Sequence, residues 1–204
     1  MTENKKKIAL FGSIVLLVAV FDQITKFWIL YTPNLHQYTL IEGWLAFHYT
    51  KNPGMALGIS WADTWVISLV AIFATIVILW YVYKTLTQAG FGYVTCMALI
   101  VGGAIGNIID RLIQAPLGGY GNVLEGHVVD FIHFKLEIAG TPVFPYIFNV
   151  ADSAITVAII TLLLFFRKLM PEYQFQKTDD SVSESGSDAG KPYSRAEASG
   201  NSGV

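Results

Sequence analysis

Four stretches of the chain carry apolar residues with little interruption: Ile8 to Tyr31, Trp65 to Tyr83, Phe91 to Ile109 and Phe144 to Phe166. Each approaches or exceeds the roughly 20 residues that a helix needs to cross a bilayer. The second holds no charge at all, and the first is broken only by Asp22 and Lys26. Elsewhere the period changes. His127 to Ile138 alternates as a strand does, with Val128, Asp130, Ile132, Phe134, Leu136 and Ile138 on one face. Val129, Phe131, His133, Lys135 and Glu137 make the other face, and Gln37–Leu40 and Leu45–Thr50 read as shorter strands. The pattern predicts a membrane all-α protein of four transmembrane helices with a small β-cradle lying on the bilayer surface.

Charge sets the orientation. Lys5, Lys6, Lys7, Lys84, Arg167 and Lys168 flank one side of the spans, against Lys51, Arg111 and Lys135 on the other. By the positive-inside rule both termini are cytoplasmic, so the loops at about 32–64 and 112–143 face outward and the cradle is extracytoplasmic. The lysines before Ile8 raise the possibility of a cleaved signal peptide. No small-x-small site follows Val20 and the apolar pattern continues to Leu30, which reads as a retained anchor. Residues 1–170 form one membrane domain, and 171–204 a cytoplasmic tail. From about Gln176 that tail turns to Ser, Gly, Asp and Glu, too polar to offset its ordering entropy, and is expected to be disordered.

Composition agrees: of 204 residues 53% are hydrophobic and 14% charged, against roughly a quarter charged in soluble domains. A net charge of −2 gives nucleic acid no purchase. The one cysteine, Cys96, sits in an apolar run and reads as a packing residue.

A charge inside a spanning helix costs roughly 2.5–3.5 kcal/mol even on gentle insertion scales, so each one needs an account. On the expected topology they share a depth. Asp22 lies roughly 12 Å below the outer end of the first helix, and Asp152 roughly 10 Å below that of the fourth. The third helix ends in Gly106-Asn-Ile-Ile-Asp-Arg111. Asn149, Asp152 and Thr156 share a helix face, and Asn107 neighbours Asp110 and Arg111 at i+3 and i+4. Gly102 and Gly106 form a small-xxx-small pattern for close helix packing. On the strand, Asp130 falls on the apolar face between Val128 and Ile132.

Asp22 has Lys26 at i+4 and Asp110 has Arg111 beside it, so both read as structural charges. Asp130 and Asp152 have no adjacent cation. If they meet, the two cannot both ionise, and the pair holds one proton. An acid beside a base suits activation of water against an amide carbonyl. Ser153 lacks a nearby histidine base, and His36, His48, His127 and His133 do not follow zinc-ligand spacing. A transporter or proton pathway built on buried aspartates is the alternative, and a lipid- or peptide-binding protein a third.

Five segments, in order, carry a resemblance: Asp22-Gln-Ile-Thr-Lys26, Asn52-Pro-Gly54, Gly106-Asn-Ile-Ile-Asp-Arg111, Val128-Val-Asp-Phe131 and Phe148-Asn-Val-Ala-Asp-Ser153. Over about residues 8–168 the chain resembles lipoprotein signal peptidase, the type II signal peptidase of bacteria. That resemblance implies an aspartic endopeptidase of the bacterial cytoplasmic (inner) membrane, monomeric, multi-pass, with its active site near the outer leaflet. It implies cleavage of prolipoproteins just before a diacylglyceryl-modified cysteine, inhibition by globomycin-like peptides, contact with membrane lipids, and no metal or organic cofactor. It implies catalysis by Asp130 and Asp152, substrate contacts from Asn52, Asn107, Arg111 and Asn149, and support from Asp22, Lys26, Gly54 and Asp110. Two departures stand out: a long Gly-rich stretch from Leu112 to His127, and Gly54-Met-Ala-Leu57 where Gly-Ala-Ala-Phe is usual.

Overall fold

A computed structural model describes residues 2–54, 62–138 and 140–169. The tail expected to be disordered lies outside them, as does most of Gly54-Met-Ala-Leu57. The helices are α1 (Glu3–Leu30), α2 (Thr64–Thr85), α3 (Phe91–Gly118), α4 (Val150–Leu164) and the single turn α5 (Phe166–Leu169). The strands are β1 (Gln37–Ile41), β2 (Leu45–Asn52), β3 (Val128–Phe134), β4 (Glu137–Ile138), β5 (Thr141–Pro142) and β6 (Ile147–Phe148). Three helices, α1 to α3, are long and apolar enough to cross a membrane, while α4 is a shorter apolar helix of 15 residues.

The boundaries depart from the hydropathy pattern at both ends of the polar layer. The third helix was expected to stop at Ile109 but runs to Gly118, because Asp110, Arg111, Gln114 and Ala115 keep one face buried. It ends where Gly119 adopts a left-handed conformation at φ 66°. Much of the stretch that looked like a long loop is therefore helix. The fourth helix was expected from Phe144 but begins at Val150. Ile147 and Phe148 are instead paired with His133 and Ile132 in the sheet, and Asn149 caps the helix. Asp152 thus stands in the first turn of α4, not two turns down it.

Helix α3 is the centre of the bundle and touches α1, α2 and α4. Its glycines permit that. A Cβ on Gly102 would meet Val15 and Val18 of α1, and one on Gly103 would lie 2.5 Å from the Ala151 carbonyl of α4. Gly106 sits between Asp22 and Ala151, so the small-residue face packs and shapes the polar layer at once.

Strands β1-β2-β3-β6 form an antiparallel sheet in that order, and β4-β5 a separate hairpin. The alternation expected along 127–138 gives way in two places. Val128, Val129, Asp130 and Phe131 are all buried, because β3 is covered on both faces. Val129 and Phe131 pack on Ile29 at the end of α1, while Asn52 and Asn149 close over Asp130. Beyond Phe134 the chain leaves the sheet, and Glu137–Ile138 pairs within the hairpin.

The β2–β3 register shifts between Phe47, opposite Ile132, and Thr50, opposite Asp130. Three steps on β2 match two on β3, so β2 carries one extra residue, a bulge. Side chains alternate faces with each residue, so this one residue puts Asn52 on the same face as Asp130.

Helix contact at Gly103 generates a stability test. Gly103→Ala forces a methyl group against backbone and is expected to lower the melting temperature in detergent by several degrees. Gly12→Ala, with nothing within 4 Å, is expected to be neutral or mildly stabilising, since alanine gains up to about 1 kcal/mol over glycine in a helix.

Candidate active site in the polar layer

Inside the bundle the most expensive group is the Lys26 ammonium, whose side chain is fully buried. Its Nζ reaches Asp22 Oδ2 at 2.8 Å, Asp110 Oδ2 at 2.9 Å and Asn107 Oδ1 at 2.9 Å. Three donors meet three acceptors, so no hydrogen is left over. The i,i+4 ion pair expected within α1 is present, and Asp110 shares the same lysine across the two helices.

The two carboxylates use their remaining lone pairs to fix backbone. Asp22 Oδ1 accepts the Ala151 N–H of α4 at 2.9 Å. Asp110 Oδ2 accepts the Val129 N–H of β3 at 2.9 Å. Gln23, unassigned in the sequence reading, donates to Asp110 Oδ1 and to the Gly106 carbonyl, both at 3.0 Å. An amide in an otherwise apolar helix was the available signal, because such a side chain finds interhelical partners.

From this support the network passes to the two other aspartates. With its Oδ1 held by Lys26, Asn107 presents its Nδ2 to Asp152 Oδ1 at 2.8 Å. Asn149 caps α4 reciprocally: its Oδ1 accepts the Asp152 N–H at 2.9 Å, while its own N–H donates to Asp152 Oδ2 at 3.3 Å. The Asn149 Nδ2 donates to Asp130 Oδ1 at 2.7 Å. Asn52 Nδ2 donates to Asp130 Oδ2 at 3.0 Å, and Asn52 Oδ1 accepts the Gly54 N–H at 2.8 Å. Gly54 has φ 118°, and an added Cβ would stand 2.5 Å from Ile67 of α2, so glycine is required twice over.

Of the sequence-derived residues, Asp22, Lys26, Asn107, Asp110, Asp130, Asn149 and Asp152 form one continuous network, with Asn52 and Gly54 at its β2 end. Arg111 is buried beside it, and its Nη1 finds no hydrogen-bond partner among the described residues. Burial pushes the Asp130 carboxyl up to about 7, with the negative charge of Asp152 adding to the effect against the donations of Asn52 and Asn149. Among the described residues no group of three or more His, Cys, Asp or Glu is placed to hold a metal ion. Chemically the arrangement offers two carboxylates tied to one asparagine, one able to hold a proton near neutral pH, with a guanidinium close by.

Comparison with known proteins places this geometry in a lineage. The family described as Signal peptidase (SPase) II matches residues 14–168. A lipoprotein signal peptidase of Chlorobium phaeobacteroides is 34% identical over 175 residues, covering 83% of this chain and 97% of its own length. One from Pelodictyon phaeoclathratiforme is 39% identical over 168 residues, covering 79% and 92%. A solved bacterial membrane enzyme, 29% identical, superimposes with a TM-score of 0.60 over 79% of this chain and 94% of its own.

Two expectations follow from the electrostatics. Lys26→Met leaves Asp22 and Asp110 buried without their counter-charge and is expected to cost about 3–5 kcal/mol, read as lost folded yield and melting temperature. The second concerns pH. A carboxyl at 3.8 when unfolded and about 7 when folded binds its proton more tightly in the native state. Its stabilising contribution is therefore complete below pH 4 and disappears as pH rises towards 7. Asp130→Asn should flatten that slope, so melting temperatures of the two proteins, scanned from acid to neutral pH, should diverge in the variant's favour as pH rises.

Proposed function

The chain belongs to the signal peptidase II family, a multi-pass membrane peptidase of lipoprotein precursors, and on that premise we propose that it cleaves by an aspartic mechanism using Asp130 and Asp152. The observation that carries this reading is the shared asparagine. Asn149 holds Asp130 through its side chain and Asp152 through its cap, so both carboxylates are aimed from one residue. A water held between them loses a proton to Asp152 as its oxygen attacks the scissile carbonyl. Protonated Asp130 donates a hydrogen bond to that carbonyl oxygen as it becomes an oxyanion. Collapse of the tetrahedral intermediate breaks the C–N bond, and the proton on Asp152 passes to the leaving nitrogen. Asp152 stands in the first turn of α4, where the helix N-terminus favours the negative charge of a base.

The substrate in this reading is a prolipoprotein cut before its diacylglyceryl cysteine. Arg111 and Asn52 contact the peptide near the scissile bond, the guanidinium as a planar fork for carbonyl oxygens. Asn107 and Asn149 orient the dyad from behind, and Asp22, Lys26, Gly54 and Asp110 hold the frame. Globomycin-like peptides occupy the same groove. Four helices cross the cytoplasmic membrane, α4 with its continuation α5 being the fourth, with both termini inside and the site near the outer leaflet. Residues 1–170 act as a monomeric domain, and the tail is dispensable for cleavage. The proton-pathway alternative calls for ionisable groups spaced across the bilayer. Apart from Lys7, the buried charged side chains among the described residues are Asp22, Lys26, Asp110, Arg111 and Asp130, and hydrogen bonds, ion pairs and charge interactions join them in one layer.

The decisive measurement is turnover in detergent on a lipidated prolipoprotein, normalised to folded enzyme. Asp130→Asn and Asp152→Asn should each abolish cleavage, and the double variant should be no worse, because the pair acts as a unit. Asp22→Asn and Asp110→Asn should lower folded yield more than turnover per folded molecule. Substantial activity in either dyad variant would sink the mechanism. Topology is checked by cysteine labelling from outside the cell: a probe at Asn122 should react and one at Lys84 should not. The reverse pattern would put the site on the wrong side of the membrane.

A further inference from the structure

Beyond the end of α3, the long stretch that departs from the family pattern is fastened to two helices. The Tyr120 N–H donates to the Ala115 carbonyl at 3.2 Å, which turns the chain back over the helix end. Glu125 Oε2 accepts the Asn122 N–H at 2.7 Å and the Asn122 side-chain amide at 3.3 Å, closing a turn. Within that turn Leu124 takes a left-handed φ of 76°, unusual for a residue with a side chain. Its carbonyl accepts the hydroxyl of buried Ser68 on α2 at 2.7 Å. Gly126 donates to the Arg111 carbonyl at 3.1 Å, and a Cβ on it would strike the Asp110 carbonyl. A segment tied to α2 and α3 in this way is a fixed mount.

The side chain it mounts is Tyr120. The phenol oxygen accepts the His127 N–H at 3.0 Å, just ahead of β3. The ring receives the Lys51 ammonium of β2, 4.7 Å from its centroid. Each contact stands next to a residue of the site. Lys51 precedes Asn52, and His127 precedes Val128, which pairs with Asn52 in the sheet. The ladder between β2 and β3 runs out at this pair, and the end of a ladder opens more readily than its middle. The Asn52 amide donates to Asp130 Oδ2 at 3.0 Å, so any fraying there loosens a hydrogen bond to a reactive carboxyl. We propose that Tyr120 is a positioning residue, which clamps the ends of β2 and β3 and thereby keeps the Asn52 amide on Asp130. The proposal rests on the peptidase reading above and deepens it.

The clamp has an electrostatic consequence. Asn52 of β2, Asn149 and Asp152 of α4, Lys26 of α1 and Arg111 of α3 all act on Asp130, and Tyr120 governs only the first of these. Burial and the charge of Asp152 raise the Asp130 carboxyl to about 7 against the donation of Asn52. Loosening Asn52 withdraws a donor to the charged form, so Asp130 keeps its proton to higher pH. Protonated Asp130 is the active form in the mechanism above, and its loss of that proton is the alkaline limb of turnover. His127 is held below the usual imidazole value by burial and by Lys51 and Arg111, so it titrates on the acid side of that limb.

The test follows turnover of a lipidated prolipoprotein peptide against pH in detergent, normalised to folded enzyme. Tyr120→Ala should move the alkaline limb up by roughly half to one pH unit, the worth of one amide hydrogen bond, with kcat lowered and KM retained. Asn52→Ala should move the limb equally far, and adding Tyr120→Ala to it should move it no further. Lys51→Met should shift the limb part of the way, while Lys51→Arg, which keeps a cation over the ring, should preserve the native profile. Lower folded yield with an unmoved limb in Tyr120→Ala makes the residue merely structural and overturns the proposal. A raised KM with an unmoved limb overturns it too, as does an additive shift in the double variant. Should Tyr120→Ala not fold, Tyr120→Phe and Lys51→Met each remove one of the two contacts, and an unmoved limb in both is the overturning result. Failure of the peptidase reading shows separately, as continued cleavage by Asp130→Asn.

Discussion

A lysine ammonium buried among membrane-spanning helices is tolerable only if every hydrogen on it has an acceptor, and Lys26 meets that condition with three side chains from two helices. The cost of failing it is high, because no water within the bilayer core can take up an unpaired hydrogen. The depth at which α1 and α3 meet, the rotation of each, and the presence of glycine at 106 are all consequences. Gly106 must be small because the Asp22 carboxylate occupies the space its Cβ would take. The ion cluster acts as a register pin between helices that are otherwise held by non-directional apolar contact.

What the pin transmits is orientation. Asn107 has an amide that can face either way; Lys26 on its oxygen commits its nitrogen to Asp152. Asp22 and Asp110 then reach past the lysine to one backbone N–H each, on α4 and β3, the two elements that carry Asp152 and Asp130. Asp22 and Asp110 therefore position Asp152 and Asp130 through rigid backbone. The sheet supplies the last adjustment, since the extra residue in β2 brings Asn52 to the face of Asp130. Without it the alternation of the strand would turn that amide away.

Much of this was legible beforehand, for a physical reason. Charges and amides in apolar runs are costly, so Asp22, Lys26, Asn107, Asp110, Asn149 and Asp152 announced themselves, and alternation revealed Asp130. Hydropathy failed where backbone hydrogen bonding decided. Residues from Phe144 to Phe148 are apolar enough to be helix, yet Ile147 and Phe148 spend their backbone groups on β3, and Asn149 starts the helix two turns late. Gln114 and Ala115 look like loop after a charged pair, but buried packing carries α3 through them. Gln23 stood inside a recognised segment without a role, because its partners, the Gly106 carbonyl and Asp110, lie on another helix.

The same accounting explains why a hydrolytic site can sit among lipid. In the layer, the Lys26 hydrogens and both oxygens of Asp22 and Asp110 are matched from within the protein, so the support presents no charge outward. Among the described residues, hydrogen-bonding capacity remains on Arg111 Nη1 and on the buried Gln23 Oε1 and His133 Nδ1, while the described donors to Asp130 and Asp152 are amides rather than cations. The carboxylates of Asp130 and Asp152 and the Arg111 guanidinium thus lie close together, while the exposed surface of α4 at Val157, Ile160 and Leu164 stays apolar. A substrate that is peptide at its scissile bond and hydrocarbon next to it matches that division. A simple lipid would leave the buried Arg111 Nη1 hydrogens unmatched, whereas a peptide carbonyl can accept from them.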